Sequence, residues 1–328
     1  MGNMKKTQRR EFIKKAGGLT LGVSVLGLTG CGTGSNSEDS EESDGYDTAE
    51  TREMFFSISL AEWSLHNALF ANEMTNLDFP EMAMQEFGIS GVEYVNSFFK
   101  DKAKDTAYLA DLKGRCDDNG VESILIMCDG EGNLGSADDA ERTTAIENHY
   151  RWVEAAKYLG CHSIRVNARG EGTAEEVAGY ATDGLTRLST FAKDFDISVI
   201  VENHGGYSSD GKWLSNVIKN TGMANCGTLP DFGNFCIEQS EDGCANEYDR
   251  YVGVEELMPF ATGVSAKSNV FDDEGNEVKT DFRRMLEIVK NAGYTGYIGI
   301  EYEGTDLSEK EGILATKYLL EKVGLELA

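Results

Sequence analysis

Three carboxylates stand at matching places in the chain. Glu202, Asp231 and Glu301 each close a short β-type run, at 198–202, 227–231 and 297–301. Acidic side chains leaving parallel strands at the same end would meet in one mouth. There they repel and raise one another's pKa, a cost that a bound divalent cation removes. An all-oxygen donor set suits Mn²⁺ or Mg²⁺. His204 lies two residues beyond Glu202, on the same strand face if the strand continues, and a histidine in the set would admit Zn²⁺, Co²⁺ or Fe²⁺. Singly, each carboxylate could be a solvated or salt-bridged loop residue. The convergence of three points to metal.

Other residues cluster at the same strand ends. Lys267 ends the run 263–267 and would reach the mouth, to bind a substrate hydroxyl or stabilise an enediolate; the plain alternative is a surface lysine. Trp63 and His66 follow the first strand and offer an aromatic platform with a polar contact, which suits a sugar. Trp63 would serve equally well as core. Asn96, Arg165, Asn167 and Asn234 are candidate hydroxyl contacts. A metal acting as Lewis acid beside two carboxylates gives proton abstraction next to a carbonyl, through an enediolate, with Glu202, Glu301 and Lys267 as the candidate catalytic groups.

Eight short β-rich segments position these residues, at 55–61, 91–95, 123–127, 163–167, 198–202, 227–231, 263–267 and 297–301. Between them apolar residues recur at helical spacing, as in 150–160, closed by Gly160, and 282–292, closed by Gly293. Thr173 reads as a helix N-cap. Alternating strands and helices mean parallel strands with crossovers, and eight units over about 275 residues make an α/β fold of the (β/α)8 TIM barrel type. A doubly wound open sheet is the alternative, disfavoured because no GxGxxG follows the first strand. Barrel sites form where strands end, and polar residues crowd one end of every strand here.

The motifs Val201-Glu202-Asn203-His204, Asp231-Phe232-Gly233-Asn234 and Gly299-Ile300-Glu301-Tyr302-Glu303-Gly304 resemble those of the xylose isomerase-like barrels of the sugar phosphate isomerase/epimerase group. The resemblance runs from Phe55 to the C-terminus. It implies that Glu202, Asp231 and Glu301 hold a divalent metal (Mn²⁺, Mg²⁺, Co²⁺ or Zn²⁺), that the substrate is a carbohydrate, and that a homo-oligomer is an option. The family usually has a histidine or another ligand at the end of strand seven; Ser265 stands there. Either His204 takes over that position, or it contacts substrate. Activity as an isomerase or epimerase is the first expectation. A lyase or hydratase acting on keto-sugars or 3-keto-glycosides, and a sugar-binding protein without turnover, are the alternatives.

The N-terminal residues read as an address. Arg9-Arg10 resembles a twin-arginine export signal, an uncharged apolar run spans 16–28, and Leu28-Thr29-Gly30-Cys31 resembles a lipobox. The expected organisation is a signal peptide over 1–30, an acidic flexible tether over 31–53 and the barrel over 54–328. Cys31 would carry the lipid and hold the protein in the bacterial cell envelope. The formal net charge is -27. Residues 1–30 hold six Lys/Arg and one Glu, a net of +5, which leaves about -32 on the remainder. Such a chain lacks the basic footprint that nucleic acid requires, and contact with the membrane would run through the lipid alone. Of seven cysteines, Cys128, Cys161 and Cys226 lie in or beside apolar runs as buried thiols, while Cys236 and Cys244 flank a polar loop and could pair in an oxidising compartment.

Overall fold

The computed structural model describes residues 53–241 and 243–328. The twin-arginine pair, Cys31 and nearly all of the acidic tether lie outside these residues. The parallel strands are β1 (Ser57–Ala61), β2 (Gly91–Val95), β3 (Glu122–Met127), β4 (Ser163–Val166), β5 (Ser198–Glu202), β6 (Cys226–Leu229), β9 (Val264–Ser268) and β10 (Tyr297–Tyr302). They form one sheet in the order β6-β5-β4-β3-β2-β1-β10-β9. Parallel bridges from Thr228 to Ala261 and from Asp231 to Ser265 join its two ends, so the sheet closes. The fold is a (β/α)8 barrel, and the open-sheet alternative falls.

Period-two alternation divides each strand between two environments. Outward residues such as Leu60, Val92, Ile164, Val199, Val201, Ile298 and Ile300 pack under the surrounding helices. Inward residues include Ala61, Val95, Leu125, Met127, Ile200 and Leu229, which fill the barrel below its mouth. The helices that cover it are α1 (Phe79–Phe87), α2 (Thr106–Asn119), α3 (Asp139–Leu159), α4 (Ala174–Lys193), α5 (Gly211–Thr221), α6 (Arg250–Leu257), α7 (Phe282–Asn291) and α8 (Glu309–Glu326). Local chemistry sets their ends. Thr173 caps α4 in a reciprocal capping box with Glu176, and Gly160 closes α3 at φ +89°, a left-handed turn that favours glycine.

Two features depart from the sequence reading. Asp231 lies two residues past β6 rather than inside it, and its bridge to Ser265 keeps it in register. The polar loop after β6 is an antiparallel hairpin, β7 (Cys236–Ser240) with β8 (Gly243–Glu247), pinned by a Cys236–Cys244 disulfide. Alternation there is masked by polar residues on both faces, so no β signal stood out. Cys116, Cys128, Cys161 and Cys226 are buried free thiols. Among the described residues no helix is long and apolar enough to cross a membrane.

Candidate functional site

Strand alternation puts Glu202 at the end of β5, Glu301 near the end of β10 and Ser265 on β9, all facing inward. Glu202, Asp231 and Glu301 are buried, and each offers an oxygen within 4.8 Å of the others. Asp231 is fixed on both oxygens. Its Oδ1 accepts the backbone N–H groups of Gly233 and Asn234 at 2.8 Å each, and its Oδ2 accepts the Ser265 hydroxyl at 2.7 Å. That hydroxyl also lies 2.9 Å from Glu301 Oε2, so Ser265 bridges the two acids. Lys267 Nζ stands 3.2 Å from Glu301 Oε1 and 3.1 Å from Glu303 Oε2. Glu202 Oε1 accepts from Asn234 Nδ2 at 2.9 Å. Its Oε2 lies 2.9 Å from Arg165 Nε, yet neither atom has a hydrogen-bond partner, because the N–H is not aimed at the oxygen. The contact is therefore Coulombic, and one lone-pair face of Glu202 stays open.

Charge and burial oppose each other here. Burial pushes Glu202 up to about 7, against the pull of Arg165 and with the help of Glu301. Asp231 is also pushed up to about 7 by burial, with Lys267 opposing. Glu301 is buried as deeply, but Lys267 and then Arg165 outweigh the burial and hold it below the usual carboxylate range. Burial would discharge Lys267, but Glu301, Asp231 and Glu303 around it keep its ammonium protonated. Three buried carboxylates, each with an oxygen within 4.8 Å of the others, fit a divalent cation. Glu202, Asp231 and Glu301 are the residues that would hold it.

The mouth opens into a cleft of about 600 Å³ whose walls include Trp63, Asp129, Arg165, Asn167, His204 and Glu303. Trp63 presents its ring to this cleft, and its indole N–H donates to Glu303. Arg165 and Asn167 line it and converge on Asp129. Arg165 reaches that carboxylate with two nitrogens at 2.8 and 3.3 Å, and Asn167 donates to it at 2.7 Å. Burial would raise Asp129, but Arg165 outweighs it and holds the acid well below the usual range. Lys267 is buried among acids, so the surface-lysine alternative falls. Asn234 donates to Glu202 and accepts from Lys267 Nζ at 3.3 Å, so it links that acid to the buried cation.

His204 stands one step from the trio. Its Nδ1 is 3.1 Å from Asn167 Oδ1 and 4.0 Å from Glu202 Oε2, outside the group of mutually close ligand atoms. Burial, then Arg165 and Lys267, lower it to about 4, so its ring is neutral. Three of the expected sugar contacts sit elsewhere: Asn234, engaged with Glu202 and Lys267, does not line the cleft, and neither do His66 and Asn96. His66 is stacked on Trp63 with ring centroids 5.0 Å apart, and its Nδ1 pairs with the Trp63 carbonyl at 2.7 Å; it backs the platform and is not part of the cleft wall. Asn96 is fully buried, and its amide is taken up by Asp129 and Glu131, so it holds the β3 loop in place.

Four further polar residues belong to this region. Asp129 follows β3 as Asp231 follows β6, and Glu303 follows Glu301 at the strand interval of two; both spacings were visible in the sequence. Arg169, on the loop after β4, lines the cleft with no strand signal of its own. Glu93 on β2 is buried inside the barrel, with Ser59 Oγ on its Oε1 at 2.6 Å and no partner on Oε2. It sits mid-strand among apolar residues, and only strict alternation would have turned it inward.

The chain belongs to the xylose isomerase-like TIM barrel family, which it matches over residues 82–321. No curated protein matches it in sequence. Among solved structures, it is similar to the IOLI protein with a bound zinc atom (TM-score 0.64, 15% identity, 82% of this chain and 98% of that one). It is similar to a xylose isomerase-like TIM barrel protein from Mycobacterium smegmatis in complex with magnesium (0.63, 14%, 83% and 98%). It is also similar to D-psicose 3-epimerase in the presence of D-fructose (0.62, 14%, 82% and 99%).

Proposed function

We propose that this protein is a divalent-metal-dependent sugar isomerase or epimerase that moves a proton at the carbon beside a substrate carbonyl. The observation that carries the reading is the trio itself: three buried carboxylates with oxygens within 4.8 Å of one another, Glu202 Oε2 being free of hydrogen bonds and facing only the Arg165 charge. Glu202, Asp231 and Glu301 would hold the cation, which when bound supplies Lewis-acid polarisation of a carbonyl. The zinc and magnesium of the similar structures support a metal, and D-fructose in one of them supports a sugar.

The chain's own groups suit the proton chemistry. Glu301, held low beside Lys267, rests ionised and takes the proton from the C–H bond; its electron pair passes to the carbonyl oxygen as the enediolate forms. Glu202, buried at the end of β5 with one oxygen free of hydrogen bonds, is the second carboxylate at the reacting carbon and returns a proton to it. Return to the same carbon from the other face gives an epimer, and return to the neighbouring carbon gives an isomer. The buried Lys267 ammonium offsets the developing negative charge. Trp63 offers a sugar face its ring, and Arg165 and Asn167 offer hydroxyl contacts.

The test is deuterium wash-in. Mn²⁺-loaded protein in D₂O, given free ketoses and 3-keto-glycosides, should place deuterium beside the carbonyl of at least one, read by NMR. E301Q should lose this exchange by at least about a hundredfold. Saturable sugar binding with no exchange would leave a binding protein, and an unsaturated product would mark elimination by the same acids.

We also propose that the protein is exported and lipid-anchored through Cys31. The disulfide-pinned hairpin supports an oxidising compartment. Labelling with radioactive palmitate in cells should mark the wild type and not Cys31→Ser; equal labelling would exclude this anchor.

A further inference from the structure

A second cleft, of about 420 Å³, lies beside the first and shares two wall residues with it, Arg169 and His204. Its own walls include Gly205, Tyr207, Ile237 and Glu238. Besides the loop after β4, which brings Arg169, two elements build it. One is the loop after β5, where Gly205 and Gly206 turn at φ +82° and +62°, conformations that glycine favours. The other is the β7–β8 hairpin, whose disulfide and Tyr248-to-Phe235 backbone bond of 2.8 Å fix the wall that carries Ile237 and Glu238. A pre-fixed wall lowers the ordering cost of binding.

From this we infer that the substrate is a keto-disaccharide or longer keto-glycoside, whose second sugar unit occupies the cleft between Arg169, Tyr207 and the hairpin. This rests on the sugar reading of the central site and extends it. A unit held at the trio lies against Asn167 and His204, and His204 is the common wall. The next unit along the chain therefore enters the second cleft. The lining has what a neutral pyranose needs: a ring in Tyr207 and an aliphatic side chain in Ile237 for its apolar face. Arg169 and Glu238 supply one donor and one acceptor group for its hydroxyls. Arg169 is committed to one bond, to the His204 carbonyl at 3.1 Å. The opposite charges of Arg169 and Glu238 favour a neutral unit over a phosphorylated or acidic one, as does the -27 of the whole chain.

The test measures binding separately from turnover. The Mn²⁺-loaded full chain is titrated by calorimetry and ligand-observed NMR with fructose and with lactulose, turanose and palatinose, which attach a second sugar to fructose through three linkages. At least one disaccharide should bind fivefold or more tighter than fructose. Ile237→Asp and Tyr207→Ala should each remove that advantage while leaving fructose affinity unchanged. Disaccharides that all bind less than fivefold tighter, or variants that weaken fructose and disaccharide alike, would overturn the second subsite. Discriminating binding without deuterium exchange would leave the subsite standing and remove the proposed chemistry.

Discussion

Replacing Glu93 by glutamine isolates one buried acid from the rest of the barrel. Glu93 is fully inside, one oxygen on Ser59 and the other unpartnered. The strand opposite leaves no slack, since a Cβ on Gly299 would come within 2.5 Å of Glu93 Oε1. Burial pushes the acid from 4.5 up to about 7; the Ser59 hydroxyl resists, and the charges of Glu301 and Glu202 push the same way. That difference is worth about 3 kcal/mol at full ionisation. A carboxyl raised in the folded state binds its proton more tightly folded than unfolded. Its contribution to stability is complete below 4.5 and is lost as pH rises through about 7.

Glutamine keeps the shape and the Ser59 bond and cannot ionise. Urea unfolding in chelator should therefore find E93Q and wild type alike near pH 4.5, with E93Q gaining as pH rises, to roughly 3 kcal/mol by pH 9. In thermal unfolding this is on the order of 6 °C for a domain of this size. A difference independent of pH, or a variant that loses ground at high pH, would refute the reasoning and mean that Glu93 is ionised and paired.

Metal binding should release protons, because Glu202 and Asp231 are each pushed up to about 7 and must ionise to act as ligands. Mn²⁺ titrations at pH 6 in buffers of different ionisation enthalpy should show release of between about one and two protons, vanishing by pH 9; heats that ignore the buffer would contradict this. Asp231→Asn should weaken Mn²⁺ by a hundredfold or more in the same titration, whereas Ser265→Ala, which removes a supporting hydroxyl, should cost about tenfold. Lys267→Met leaves Glu301 without its nearest cation and should cost about 3–5 kcal/mol in urea unfolding without metal, more at pH 8 than at pH 5. Reduction of Cys236–Cys244 should open residues 236–247 to limited proteolysis and leave the barrel uncut, as read by mass spectrometry.

What the sequence made legible follows from what repeats. The barrel was readable because eight strands recur with helices between them, and a strand's direction fixes which end carries polar residues. Glu202 and Glu301 were readable because each ends an apolar run. His66 and Asn96 were misplaced for one reason: both leave the strand path. His66 falls in a short helix, His66–Phe70, and Asn96 starts a 3-10 turn, Asn96–Lys102, so alternation no longer says where they face. The hairpin was hidden because neither of its faces is buried, β7 being half-buried at Cys236 and Ile237 and exposed beyond and β8 exposed throughout, and period two shows only where one face is buried.

Ser265 shows why a departure from a family pattern is not by itself a loss. In the sequence it stands where the family usually has a ligand. In place it spans Asp231 and Glu301 with one hydroxyl, and the same strand turns Lys267 inward two residues later. β9 thus contributes a bridge and a positive charge where a neutral ring would contribute a lone pair. The remaining donors are all acidic oxygens, so the site's attraction for a cation comes from charge more than from ligand softness. That same charge has to be carried by protons when no cation is bound, which is why Glu202 and Asp231 both stand near neutrality while Glu301, next to Lys267, does not. In the proposed function, acid/base competence and metal affinity are therefore two consequences of one buried charge imbalance, and a change that relieves it should weaken both together.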